Sequence, residues 1–332
     1  MSAVLDRRFL LQAAGALVLA GCQPATQSRL RLALAGSPNA SWNGVWVWMQ
    51  AFMARMEAAG QAMSLSTNAS LGREEDRTEL TGIGLLQLND AGISEATAFS
   101  EAYIVAQLPF LFRDLDQFDR LLEDESFMAE VNERLARAGL VLVDAAFLGG
   151  MSGLFTTQRP VRSMEDMKGL RLRAMDRRDL VLIETFGASG VQVAWEETPQ
   201  ALQTGIASGY FNPPLAPVLF GHGAYLKYFT DLRVAPAHRL IVASSKWMNG
   251  LDPGKRQTLE AAFSAGKAAN REWSQKRLQS DMQLLEDSGI ETVAISDDAR
   301  AGFREKAREA YGAYARPSVI DRALELAGRY AS

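Results

Sequence analysis

The sequence predicts an α/β protein of two lobes, and three observations carry this. Residues 168–214 alternate strand and helix signatures in the order β-α-β-α. A chain of 332 residues, 48% hydrophobic and 22% charged, is long enough for two cores. Finally, no proline or turn cluster intervenes between Pro253 and Gly289. A continuous helix there would run about 54 Å at 1.5 Å per residue, whereas a 100-residue domain has a radius of gyration near ~13 Å. Its apolar positions run Leu259, Phe263, Gly266 and Trp273, then shift to Leu278, Met282 and Leu285. A stripe that changes face fits a helix packing on one lobe and then the other. A helix broken near Ser274 is the alternative.

The N-terminus reads as targeting sequence. Arg7 and Arg8 precede an apolar stretch, 9–21, that is shorter than the roughly 20 residues a bilayer span needs. It ends Leu19-Ala20-Gly21-Cys22, the pattern of a bacterial lipoprotein signal, with cleavage before Cys22 and lipid on its thiol. Cys22 is the one cysteine of the chain, which excludes a disulfide framework. The paired arginines with Phe9-Leu10-Leu11 also fit a twin-arginine export signal. Residues 22–28 are a polar tether. The expected location is therefore the periplasm, lipid-anchored to a membrane.

The mature chain opens on a buried strand, Leu30-Arg31-Leu32-Ala33-Leu34. Ser41 or Asn43 then caps a helix ending at Gly60. Trp42 and Trp46 share a face of this helix, turned to core or cleft. Residues 63–67 form a second strand, and Leu71-Gly72-Arg73-Glu74-Glu75 opens a charged helix. Residues 85–93 lead into a third strand whose exit is Ser94-Glu95. Leu108-Pro109-Phe110-Leu111-Phe112-Arg113-Asp114 is an apolar plug followed by a cap at Asp114 or Asp116. A helix over 117–138 ends at Gly139, and a strand over 140–146 leads to Gly149-Gly150-Met151-Ser152. Ser163 with Asp166 starts a short helix. Leu170-Arg171-Leu172-Arg173 alternates as a strand does, and period two places both arginines on one face without choosing between them. Helices stopping at Gly187 and Gly205 flank a strand at 191–193. Leu240-Ile241-Val242-Ala243 is a long apolar strand, and Asp252-Pro253 starts the long helix. A strand over 291–295, a helix capped by Asp297 and a terminal helix from Ser318 or Asp321 complete the chain.

Four runs carry a resemblance: Lys168-Gly169-Leu170-Arg171-Leu172-Arg173-Ala174, Gly190-Val191-Gln192-Val193-Ala194-Trp195, Ala201-Leu202-Gln203-Thr204-Gly205 and Gly209-Tyr210-Phe211-Asn212-Pro213. Together with the plug at 108–114 and the Leu71-Gly72-x-Glu74 step, they resemble the solute receptors of tripartite ATP-independent periplasmic (TRAP) transporters, of the dicarboxylate-receptor-like family. The resemblance covers roughly residues 30–290. It implies a two-lobed fold of the periplasmic-binding-protein kind, with a ligand cleft between lobes, hinge strands and a long helix bridging both. The implied division is 29–150 with 238–275 as lobe I, and 151–237 with 276–332 as lobe II. On family grounds Arg173 clamps a ligand carboxylate, Trp195 walls the site, Asn212 supplies an amide hydrogen bond and Ser94 lines the cleft. A local turn bond is the other use for Ser94. Many relatives have a second Arg about where Ser152 stands, and an acid at Ser208. With Tyr210 and Phe211 replacing polar residues, the departures imply one anion site and a more apolar wall that includes Phe211; side chains turned into the core are the alternative.

Enzymatic chemistry finds no support in the pattern. The two histidines, His222 and His238, form no metal motif. No nucleophile elbow, Walker loop or complete dinucleotide fingerprint occurs. Acid pairs such as Glu74-Glu75, Asp124-Glu125 and Glu196-Glu197 lie at helix starts, where carboxylates favour the positive dipole end. A net charge of −4 without a basic block excludes nucleic-acid binding. The expected function is capture of a small organic acid, without cofactor or metal, and its delivery to TRAP membrane permease subunits. The same fold serving as a ligand sensor for a membrane signalling partner, or an exported α/β enzyme, are the rivals.

Overall fold

The computed structural model describes residues 29–330. The signal segment, Cys22 and the tether lie outside the described residues. The strands are Leu30–Ala33 (β1), Met63–Ser66 (β2), Leu88–Ala91 (β3), Leu140–Met151 (β4), Gly153–Thr156 (β5), Arg171–Ala174 (β6), Ser189–Gln192 (β7), Gly209–Asn212 (β8), Tyr228–Thr230 (β9), Pro236–Ser244 (β10) and Glu291–Val293 (β11). They form two mixed sheets, ordered β2-β1-β3-β10-β4 and β11-β9-β5-β8-β6-β7.

Strand directions make the two sheets face each other. β1, β2 and β3 are mutually parallel, and β10 runs antiparallel to both β3 and β4. All of the first three therefore run with β4, whose end continues into β5 of the second sheet. β8 is antiparallel to β5, and β6 is parallel to both β7 and β8. The carboxyl ends of β1–β3 thus point at the second sheet, and those of β6–β8 point back at the first. Open α/β sheets bind ligands at such carboxyl edges.

The chain crosses between the sheets several times, and three of these links fix their placement. β4 passes into β5 through Ser152, whose N–H donates to the Ala235 carbonyl (2.9 Å) while its own carbonyl accepts from the Val234 N–H (2.7 Å). The plug at 108–114 is a staple. Leu108 and Phe112 sit in the core cluster of the first sheet, whereas Phe110 enters that of the second. Phe110 reaches it with φ at 58°, in the left-handed region that a bulky side chain rarely adopts. Its ring packs at 5.9 Å from Phe186 and 6.4 Å from Phe303.

The third link is the helix Pro253–Asp287, 35 residues without interruption, about 52 Å long at the usual rise. Leu259 and Ala262 pack with Leu32, Trp48 and Phe52 of the first lobe, and Leu285 packs with Phe155 and Phe229 of the second. No break occurs at Ser274, because its hydroxyl donates to the Gly149 carbonyl (3.0 Å) and ties the helix to β4. One turn earlier, the Asn270 amide donates to the carbonyls of Gly44 and Phe147 and accepts from the Phe147 N–H. Buried amide groups satisfied in this way fix the helix register.

Three expectations change. The helix expected over 117–138 is two, Leu115–Leu122 and Glu125–Leu135, because the Asp124 carboxylate accepts from the N–H groups of Ser126 and Phe127 and starts a new one. Trp42 precedes the helix, which starts at Gly44, so it shares no helix face with Trp46; Trp46 packs half-buried on the core cluster, and Trp48 is the indole sealed within it, its N–H donating to Asp144 (2.9 Å). The terminal helix Pro317–Arg329, placed with lobe II from sequence, packs Ala323, Leu326 and Ala327 among Tyr103 and Phe118 of the first sheet's cluster.

Candidate functional site

The site is built at the carboxyl edge of β6, β7 and β8. In-register parallel pairing sets Arg173 beside Val191 and Tyr210, and the pleat turns these three to one face. Leu172 points to the other, into the cluster of Phe110, Ile183 and Phe186. The two arginines left unresolved by periodicity are separated by depth. Arg171, at the far end of the strand from the cleft, is exposed, whereas Arg173 is 7% exposed. Ser208 ties the far ends of β6 and β8 together: its hydroxyl accepts from the Arg171 N–H (2.9 Å).

The Arg173 guanidinium is oriented from two sides. Its Nε–H donates to the Val193 carbonyl (3.0 Å). The Trp195 ring lies 5.1 Å from its central carbon, within cation–π range. Trp195 is carried on the short 3-10 turn Trp195–Glu197, just before the helix Thr198–Thr204, which ends at Gly205 with φ at 75°. Only glycine takes that conformation freely, which is why the sequence marks the stop.

An aromatic nest backs this pair. Tyr210 and Phe220 stand edge-on to Trp195 at 5.9 and 5.0 Å, and His222 packs against it at 4.9 Å. The Tyr210 hydroxyl and His222 Nδ1 are hydrogen-bonded at 3.1 Å. Burial pushes the Tyr210 phenol up, and burial together with the Arg173 charge pulls the His222 imidazole down. Both groups therefore stay neutral, and Arg173 keeps its charge among uncharged rings. Burial also pushes up the Asp179 carboxyl, against the Met175 N–H and the charges of Arg173 and Arg178.

Of the residues singled out from sequence, Arg173 and Trp195 are brought together. Asn212 lies at the end of β8, opposite Gly153 and two residues beyond Tyr210, so the pleat gives it the Arg173 face. Phe211 is not brought to Arg173: it is turned to the opposite face, 6.5 Å from Phe186. Tyr210 is fully buried. The apolar wall expected from these two rings is accordingly core packing. The third strand ends at Ala91 and a helix, Ile93–Phe99, starts at once, so Ser94 is a helical residue rather than a strand exit; its side chain lies outside the described residues. Cys22 lies outside them as well. His222 was the partner that sequence reasoning missed. A lone histidine twelve residues from Tyr210 belongs to no motif, and only the fold joins them. Among the described residues no cluster of His, Cys, Asp and Glu could hold a metal.

Comparison with known proteins agrees with this geometry. The pattern of one family, bacterial extracellular solute-binding protein, family 7, matches residues 41–317. A solute-binding protein of Chromohalobacter salexigens is 27% identical over 250 residues, covering 74% of this chain and 72% of its own. Among solved structures, a TRAP periplasmic solute-binding protein from Sulfitobacter sp. NAS-14.1 with bound β-D-galacturonate superposes with a TM-score of 0.77 at 23% identity, covering 90% of this chain and 99% of that one. A second, from Shewanella oneidensis with bound succinate, gives 0.78 at 19% identity, covering 92% and 99%. At these identities the superpositions establish the two-lobed fold.

Proposed function

The chain belongs to family 7 of the bacterial extracellular solute-binding proteins, and from that premise we propose how it takes its ligand. The family is one of solute-binding receptors, not of enzymes, and its structural neighbours are receptors of TRAP transporters. The ligand is a small organic acid whose carboxylate Arg173 clamps. Trp195 forms the ceiling of the clamp, and Asn212 offers an amide from the adjacent strand β8. The bound acid is then passed to TRAP membrane permease subunits.

One observation carries the reading. Arg173 is a buried cation at a carboxyl edge, with its fork oriented by the Val193 carbonyl and an indole face. A guanidinium offers two parallel donors matched to a carboxylate and keeps its charge at neutral pH. The ligands in the two neighbouring structures, a uronate and succinate, are both carboxylates. Mass spectrometry of the small molecule that co-purifies with the native protein tests it: a carboxylic acid is expected, lost from the Arg173→Ala protein. A co-purified ligand without an acid group would contradict it.

The anchoring is read from the Leu19-Ala20-Gly21-Cys22 run, with export by the twin-arginine route from Arg7-Arg8. No helix among the described residues is long and apolar enough to cross a membrane. Cys22→Ser should move the protein from the membrane to the soluble fraction, and a variant that stays on the membrane would exclude lipid on this thiol.

A further inference from the structure

The carboxyl edge of the first sheet, opposite Arg173, carries an ion-paired plate that the sequence does not announce. Arg239 stands on β10 beside Ala146 of β4, one residue before the Leu240–Ala91 pair that joins β10 to β3. Its Nε–H donates to the Asp90 carboxylate (2.6 Å), and its Nη2 pairs with Glu74. The other Asp90 oxygen accepts from the Ala35 N–H (2.6 Å). Glu74 opens the helix Glu74–Gly82 that follows β2, and Asp90 lies near the end of β3. Both acids therefore belong to the edge that faces β6–β8.

The plate is open on one side and unsaturated beneath. Asp90 is 1% exposed, but the side chains of Arg239 and Glu74 are 24% and 34% exposed, so a solute can reach them. Glu74 depends on Gly92, where any Cβ would come within 2.5 Å of its Oε2. Under it lie two buried donors that make no hydrogen bond, Asn89 Nδ2 and Arg77 Nη2, the latter ion-paired with Glu74 at 3.8 Å. Arg77 is 1% exposed and Asn89 is fully buried, and buried donors of this kind call for a further acceptor.

We propose that the Glu74–Arg239 pair is the specificity element of the cleft and selects hydroxylated monocarboxylates. The inference rests on Arg173 holding the carboxylate. Charge decides the chemistry. Arg239 and the buried Arg77 are together balanced by Glu74 and Asp90, so the plate offers donors but no net positive charge for a second anion. Of the two acids Glu74 is the exposed one, 34% against 1% for Asp90, so an approaching anion meets a carboxylate first. A hydroxyl is both donor and acceptor: it donates to Glu74 and accepts from a guanidinium N–H. A bare alkyl chain would leave those groups desolvated and unpaired. Arg239 contacts the hydroxyl and also sets the rotamer that Glu74 presents.

Calorimetric titration of the mature protein with two matched sets tests this: D-gluconate, hexanoate and adipate, and L-threonate, butyrate and succinate. In at least one set the hydroxy acid should bind about tenfold or more tighter than both analogues, the discrimination that one hydrogen bond to a charged group supports. Glu74→Gln removes the charge but keeps the shape, and should cut the ratio of hydroxy acid to diacid by about tenfold. Arg239→Met should do the same, with partial rescue in Arg239→Lys; a pair that only joins β3 to β10 would leave the ratio unchanged. A diacid or unsubstituted acid binding as well as the hydroxy acid in both sets overturns the inference, as does an unaltered ratio in Glu74→Gln. The carboxylate clamp is read separately. Arg173→Ala should weaken all members of a set alike, and if it does not, the clamp is what fails.

Discussion

The Arg173 guanidinium and the Trp195 indole form a single unit, 5.1 Å from central carbon to ring centroid, although they come from different strand ends. The cation supplies the charge for an acid, and the ring fixes its direction and keeps water from one side of it. Trp195→Ala should weaken carboxylate binding by up to about thirtyfold, the range of ~0.5–2 kcal/mol for such contacts. Trp195→Phe should retain part of this. Equal affinity in wild type and Trp195→Ala, by calorimetric titration, would show that the ring contributes nothing to the site.

The long helix depends on one close approach. Gly266 lies against Trp48, where an added Cβ would stand 2.7 Å from Cε2 of the indole and 3.0 Å from the Trp48 carbonyl. Trp48 is fully buried between Phe52 and Phe263 and is bonded to Asp144, so it has nowhere to go. Gly266→Ala should therefore destabilise by about 1–3 kcal/mol despite alanine's better helix propensity. Denaturant unfolding checks it, and a midpoint equal to or above wild type would mean that the helix shifts freely.

His238 gives the protein an acid-sensitive term. It is buried, its Nδ1–H donates to the Pro236 carbonyl, and its Nε2 accepts from the Tyr103 hydroxyl. Burial pulls its pKa down to about 4, against about 6.5 for a free imidazole. Between these values the unfolded chain binds the extra proton and the folded one does not, so stability rises with pH across that window. Up to about 3 kcal/mol is lost as pH falls from 6.5 to 4. Asp281, whose pKa burial raises to about 6, works in the opposite sense. The measurement is therefore the difference between wild type and His238→Gln in unfolding free energy at several pH values. That difference should shrink toward acid, and a pH-independent gap would show that His238 titrates normally.

The sequence made the architecture legible wherever local rules act alone. Gly205 stops a helix, Asp252-Pro253 starts one, and the uninterrupted run after Pro253 fitted a helix bridging two lobes, with a break near Ser274 as the alternative. The choice between Arg171 and Arg173 was not legible from period two, since alternation gives a face and not a depth. Phe211 was misplaced for a related reason: adjacent residues on β8 take opposite faces, and only the register against β6 says which face holds the site. The pairing of Tyr210 with His222, and of Arg239 with Glu74 across 165 positions, comes from tertiary folding. No spacing rule reaches that far.

Arg173 itself provides the most direct measurement. Calorimetric titration of wild type, Arg173→Ala, Arg173→Lys and Arg171→Ala with the co-purified acid compares the buried arginine with its exposed neighbour two residues away. Removing one partner of a buried ion pair costs roughly 3–5 kcal/mol, so Arg173→Ala should lose about two to three decades of affinity. Arg173→Lys should recover a part, because an ammonium lacks the two-pronged fork, and Arg171→Ala should bind as wild type does. Near-normal affinity in Arg173→Ala, or selective loss in Arg171→Ala, would contradict the assignment of the carboxylate clamp to Arg173.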